Sequence, residues 1–216
     1  MDTDKSTNIR VLAIAFMVIL GAAVSAGARV FPAPSWYGND DTTFEQWSFT
    51  QQGSFPQSPD LGFNNNYGTP QISAYSSQWS DSIDGKQGVW TFSGFGSGML
   101  VDIPNNPVSQ PTKQMQVELI WEAAGLSSYI PDQPIIGVWA DHFTEQLVGE
   151  QSIGGNWYAS LYKITIWPNP SSEQITINGD IRLDQIIVDT ICIPEPATFG
   201  LLIGGALMAI RRKRKV

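Results

Sequence analysis

Few side chains in this 216-residue chain have the chemistry of a catalyst, and their spacing suits none of the reactions they would serve. The one histidine, His142, stands in Ala140-Asp141-His142-Phe143. A single imidazole excludes centres built on two or more histidines, and no Gly-x-Ser-x-Gly elbow supplies a nucleophile for it to activate. His142 reads as a loop residue. The glycine-rich stretch Gly94-Phe95-Gly96-Ser97-Gly98 lacks a lysine to meet a phosphate, and no Gly-x-Gly-x-x-Gly opens a helix, so nucleotide binding has no support. Paired carboxylates remain, because a glycosidase needs only two, about 5 to 10 Å apart. Glu118 and Glu122 flank Leu119-Ile120-Trp121. On a strand, residues i and i+4 share a face at roughly 13 Å, too far for direct cooperation. The pair reads as a solvated strand face, and the chain as a non-enzyme.

Two binding chemistries are better served. Calcium takes several oxygens from carboxylates and carbonyls. The segment Asn39-Asp40-Asp41 with Glu45 is expected to approach Asp184 or Asp189 of the last strand and offer such a set; the same Asn and Asp residues also suit tight turns without a metal. Sugar rings stack on aromatic faces, and the chain has eight tryptophans. Trp47, Trp90, Trp121 and Trp139 fall within strand-like runs and are expected in the core. Trp36, Tyr37, Tyr67, Trp79 and Trp157 fall beside loops, which makes Trp36, Tyr67, Trp79 and Trp157 the candidate sugar contacts.

The elements that must position these residues are strands. Val, Ile, Thr and aromatics come in short runs between clusters of Gly, Pro, Asn, Asp and Ser, with no helical period among them. After the extended lead-in Phe31-Pro32-Ala33-Pro34, strands are expected over 42–50, 71–78, 88–92, 99–103, 114–121, 135–140, 145–152, 157–167, 173–177 and 181–191. Residues 53–68 and 105–111 are expected as surface loops. The run 114–121 alternates, placing Met115, Val117, Leu119 and Trp121 on one face and Gln116 and Glu118 on the other. An open sheet would leave one apolar face wet, so the expected fold is all-β: an antiparallel two-sheet jelly-roll sandwich over residues 29–192. The final run, Ile181-Arg182-Leu183-Asp184-Gln185-Ile186-Ile187-Val188-Asp189, resembles the closing strand of galactose-binding-like and carbohydrate-binding jelly rolls over about ten residues.

Charge separates this segment from the chain ends. Residues 29–192 carry five basic against seventeen acidic side chains, whereas 193–216 carry five basic against one acidic. An acidic domain of this kind repels phosphates and anionic lipid, so nucleic acid is not an expected partner. The lone Cys192 excludes an intramolecular disulfide and is expected to be a small buried hydrophobe ending the last strand.

At the beginning, Lys5 and Arg10 precede the apolar run Val11 to Leu20, and small residues follow to Ala28. This is the pattern of a secretory signal peptide, residues 1–28, with signal peptidase as the implied partner and cleavage after Ala26 or after Ala28. At the other end, Pro194-Glu195-Pro196 is followed by an apolar run from Ala197 to Ile210 and then by Arg211-Arg212-Lys213-Arg214-Lys215. The prolines keep the triplet extended. The apolar run rises about 21 Å as a helix, short of the roughly 30 Å hydrocarbon core, and the cations hold the tail on the cytoplasmic side.

In motif, apolar helix and basic end, taken in that order, residues 193–216 resemble the PEP-CTERM sorting signal of Gram-negative and related bacteria. Trp47, Pro168-Asn169-Pro170 and the tail together look similar to planctomycete-type members of that group. The resemblance implies an exosortase, a membrane-embedded cysteine transpeptidase, as processing partner near Pro194, Glu195 and Pro196. It also implies transient membrane contact and a destination in the cell envelope, outer surface or extracellular matrix, often alongside exopolysaccharide. It implies no activity for the domain. A non-catalytic surface protein and a carbohydrate-binding module stabilised by calcium are the two expectations.

Overall fold

The computed structural model describes residues 28–106 and 111–194; within them the chain is all β, with no helix. Twelve strands follow one another: β1 (Thr42–Trp47), β2 (Gly62–Asn64), β3 (Gln71–Tyr75), β4 (Gln78–Ile83), β5 (Lys86–Phe92), β6 (Gly98–Pro104), β7 (Thr112–Ala123), β8 (Ile135–Val138), β9 (Phe143–Gly154), β10 (Trp157–Ile166), β11 (Ser172–Asn178) and β12 (Ile181–Ile193). They form two antiparallel sheets. The larger runs β2-β1-β12-β7-β10-β9, with β5 pairing with the start of β12 and β4 with β5; the smaller runs β3-β6-β11-β8.

The two sheets share one apolar core because their alternation is in phase. From the larger sheet come Trp47, Met115, Val117, Leu119, Ile164, Ile166, Ile186 and Val188, and from the smaller Ile72, Met99, Val101, Ile103, Ile136, Val138, Ile175 and Ile177. Each is a β-branched, aromatic or long apolar residue at every second position, and burying each contributes on the order of 1.5 to 3 kcal/mol. The expected alternation of 114–121 is what the structure has, with Met115, Val117, Leu119 and Trp121 turned inward.

β12 is the spine of the larger sheet. It is buried almost throughout, pairs with β1 from Thr42↔Ile191 to Trp47↔Ile186, and pairs with β7 over nearly its whole length, with a register shift between Leu183 and Gln185. Its second face is also covered. Val89, Ile120, Trp157 and Ala159 form a smaller cluster there, closed by Val30, Phe31, Ile83 and Ile153. The lead-in thus lies across the outer face of the sheet.

Four expectations change. β2 falls within the expected loop 53–68, since three residues paired only to β1 leave no periodic pattern. β4, Gln78-Trp79-Ser80-Asp81-Ser82-Ile83, is too polar to announce itself; the residues that make it a hairpin are Asp84 and Gly85, both left-handed (φ 48° and 84°), as a two-residue turn between twisted strands requires. Trp139 is not core. β8 ends at Val138, and with Ile136 and Val138 turned inward the next residue must point out, leaving Trp139 68% exposed. Glu118 and Glu122 are not solvated, because the outer face of β7 is the covered one.

One glycine fixes how the β4–β5 hairpin meets the rest. Gly88 has φ 73°, and a Cβ there would stand 1.8 Å from the Phe49 carbonyl oxygen. The same carbonyl accepts a hydrogen bond from Trp79 Nε1 at 3.0 Å, so hairpin and segment are locked at van der Waals contact.

Candidate functional site

The residues expected to hold calcium lie in three different environments. Asp40 and Asp41 are exposed, at an open cavity of about 560 Å³ shared with Gly38, Asn39, Ile191, Cys192 and Pro194. Glu45 opposes Val188 and so faces the interior, where burial pushes its carboxyl up to about 8 against hydrogen bonds from Thr43 and Asn65. Asp184 sits at the register shift of β12 and is held by Lys86 Nζ at 3.0 Å; burial raises its carboxyl and Lys86 works against that rise. Among the described residues no group of three or more His, Cys, Asp and Glu side chains is placed to hold a metal ion.

The expected sugar contacts are likewise dispersed. Trp157 is buried in the outer-face cluster with the Lys86 ammonium 5.6 Å from its ring centre, because the face it occupies is covered rather than wet. Trp79 is half-buried against the main core. Tyr67 is half-buried, donating to Asp41 Oδ1 at 3.1 Å, and Trp36 is half-buried in the segment before β1. Aromatic exposure is concentrated elsewhere. Phe95 and Tyr129 stand fully in solvent at either side of a cleft of about 250 Å³, whose walls include Ile130, Pro131, Ile135 and Asn178. Three connections build it: the β5–β6 turn, the β7–β8 loop and the β11–β12 turn. The glycines around Phe95 suit the turn between β5 and β6, and only the fold brings Tyr129 beside it.

The acidic residues of β7 have structural partners. Glu118 accepts from the backbone N–H groups of Val30 at 2.7 Å and Phe31 at 3.3 Å; burial raises its carboxyl, and those bonds with nearby Arg29 oppose the rise. Arg29 grips Asp189 through two 2.6 Å hydrogen bonds. Arg182 bonds Glu122 at 2.7 Å. These carboxylates anchor chain segments.

A second polar group lies inside the core, near the end of β12. Lys113, fully buried, meets Glu173 Oε1 at 2.9 Å and Asn105 Oδ1 at 2.8 Å, and its Nζ is 3.6 Å from Cys192 Sγ. Burial raises the Glu173 carboxyl, with Lys113 opposing, and likewise raises the Cys192 thiol. Cys192 is buried near the end of β12, as expected, but among polar neighbours rather than apolar ones. No sequence pattern flagged this cluster, since its members come from β7, β11, β12 and the loop after β6. His142 is an exposed loop residue stacked on Trp167 at 6.1 Å.

Pro194 follows β12 directly and is exposed. Ala28 is exposed, one residue before Arg29. Ala26, Glu195, Pro196 and Arg211, Arg212, Lys213, Arg214 and Lys215 lie outside the described residues. Compared with known proteins, the chain matches no family model, no curated protein and no solved structure.

Proposed function

We propose that this chain is an exported, non-catalytic protein of the cell surface or extracellular matrix. It is delivered by a signal peptide ending at Ala26 or Ala28 and sorted through a PEP-CTERM signal that an exosortase processes. The observation that carries this reading is the order Pro194-Glu195-Pro196, apolar run, basic cluster, attached directly to the last strand. An exposed Pro194 immediately after β12 supports it, because a membrane-embedded enzyme needs an extended, reachable segment there. The domain is read as a jelly-roll sandwich, supported by the pairing of β1 with β12 and by a chain that crosses repeatedly between the two sheets, at β3, β6, β8 and β11. Mass spectrometry of the mature C-terminus tests the sorting. A chain ending near Pro194 supports it, and an intact chain through Val216 in the mature envelope fraction overturns it.

A second reading, a module that binds exopolysaccharide, is favoured by the cleft between Phe95 and Tyr129. Two exposed rings with Asn178 between them suit a sugar better than a soluble surface with no ligand. The cleft adjoins the start of β12 and Pro194 its end, about 40 Å apart at the rise of a strand. A tail in the membrane therefore leaves the cleft facing outward. Calorimetric titration of the full-length chain with the producing cell's own exopolysaccharide tests it. Binding that Tyr129→Ala abolishes is expected, and a flat titration at high ligand removes the reading.

A further inference from the structure

The buried cluster at Lys113 contains a nucleophile, an acyl group and a proton carrier within reach of one another. Lys113 Nζ donates to Asn105 Oδ1 at 2.8 Å, which holds the amine against the carboxamide whose carbon it would attack, and it is 2.9 Å from Glu173 Oε1. The carboxamide is clamped on both sides. Its Oδ1 also accepts from the Asn106 N–H at 2.8 Å and from Cys192 Sγ at 3.3 Å, while its Nδ2 donates to Asn169 Oδ1 at 2.5 Å and to the Pro170 carbonyl at 2.6 Å. Donors on Oδ1 are the groups that stabilise the negative charge developing there when an amine adds to the carbon. Fixed approach at this distance supplies much of what an intermolecular amidation lacks. Lys113 and Glu173 have no exposure and Asn105 almost none, so water does not compete for the carbonyl.

We propose that Lys113 and Asn105 form an intramolecular isopeptide bond between Nζ and Cγ, with Glu173 carrying the proton. The ammonium of Lys113 first gives a proton to the Glu173 carboxylate. The freed amine adds to Cγ of Asn105, and the Cγ–Nδ2 bond breaks. A second Nζ proton passes to Nδ2, which leaves as ammonia, and the third stays on the new amide. Glu173 is left neutral, or returns to a carboxylate when its proton departs with the ammonia as ammonium. No oxidant or cofactor enters. The product is favoured by its surroundings, because an amide with satisfied hydrogen bonds replaces a cation held inside an apolar core. The other described lysines have no such neighbour: Lys86 meets Asp184, and Lys163 is exposed. The bond would join the end of β6 in the smaller sheet to the start of β7 in the larger, pinning the two sheets together beside Pro194.

A tryptic map of the folded full-length chain tests this without any variant. Trypsin cannot cut at an acylated lysine, so residues 87–163 are expected as one peptide lighter by one ammonia than its sequence. Fragmentation should join Asn105 to Lys113. The same chain held in denaturant from synthesis onward should keep full mass and be cut at Lys113, because only the fold assembles the three groups. Lys113→Arg should restore cleavage and full mass. Ammonia loss that persists in that variant marks a succinimide and overturns the proposal. So do complete cleavage at Lys113 with full mass after prolonged incubation of the folded chain, and loss of water with the join at Glu173. Glu173→Gln should leave the bond unformed in folded protein; if that variant cross-links at the wild-type rate, the proton role of Glu173 is wrong.

Discussion

The two faces of β7 and β12 hold the same chemistry in different surroundings. On the outer face Arg29 grips Asp189, with a fifth of the arginine side chain still in solvent. On the inner face, three residues further along the β7–β12 register and roughly 10 Å away at the rise of a strand, Lys113 meets Glu173 with neither side chain exposed. The outer cation has water as an alternative partner and so pays little to stay charged. The inner one has none, and its carboxylate is pushed toward the neutral form by burial. Ion pairing on the outer face is a fastening; on the inner face it is a reactive arrangement.

Breaking the inner pair should give the largest effect. Lys113→Met removes the cation and leaves Glu173 buried alone, a loss of about 3 to 5 kcal/mol by urea unfolding. The double change Lys113→Met with Glu173→Leu sharpens the comparison. If the pair alone supplied the stability, two apolar residues of similar volume should restore most of it. If a cross-link supplied it, recovery should be partial.

The outer pair should be worth less. Arg29→Ala takes the charged partner from buried Asp189 but opens to solvent the space of a side chain that was already a fifth exposed, a loss of about 1 to 3 kcal/mol. Its distinctive mark is local: the Val30 and Phe31 amides that donate to Glu118 should exchange with solvent faster, while amides of β12 beside Val117 should not. Hydrogen exchange resolved by residue checks both. Equal loosening of the whole sheet would show that residues 29–31 are integral to its core and not a strap over it.

These same two faces mark how far the sequence could be read. The inner apolar residues were legible because period two is a local signal, and Met115, Val117 and Leu119 declare it within a few positions. The fate of Glu118 was not, since its burial depends on Val30 and Phe31 arriving from nearly ninety residues away. Trp157 was misjudged for the same reason, as a residue beside a turn is exposed only if nothing covers that face. The Lys113 cluster was wholly invisible. It depends on register between β7 and β12 and on two loops, and no short spacing of Asn105, Lys113, Glu173 and Cys192 encodes that. Trp139 is the one place where the period itself had the answer: counting from Ile136 and Val138 puts it outside.

Acid should sharpen the inner face next. Glu45 has its carboxyl at about 8 in the fold against 4.5 as its ordinary value. Between those values the folded chain holds a proton that the unfolded chain has lost, so stability rises as pH falls from about 8 toward 4.5, by about 1.4 kcal/mol per pH unit for one group. Glu173, Glu118, Asp184 and Asp189 are shifted in the same direction and add to the slope. Glu45→Gln removes its own share, and urea midpoints at pH 5.5 and 7.5 should then differ less than in the parent chain. An unchanged slope would mean that Glu45 stays ionised inside the core.

Salt should separate the faces by the smallest margin. At 1 M the screening length falls to about 3 Å, which weakens charge pairs that solvent ions can approach and hardly touches those they cannot. Arg182 with exposed Asp84 is the most open pair, Arg29 with Asp189 less so, and Lys113 with Glu173 is closed. The exposed Arg182–Asp84 pair is worth about 0.2 to 1 kcal/mol, so its loss in salt is a few tenths. Salt also strengthens apolar burial, and the raw change in stability therefore mixes two signs. The difference between parent and variant cancels the apolar part. The cost of Arg182→Ala should shrink in 1 M salt, that of Arg29→Ala should shrink less, and that of Lys113→Met should stay as it was. A Lys113→Met cost that fell with salt would place ions, and hence water, at Nζ, and the inner face would then be no different in kind from the outer.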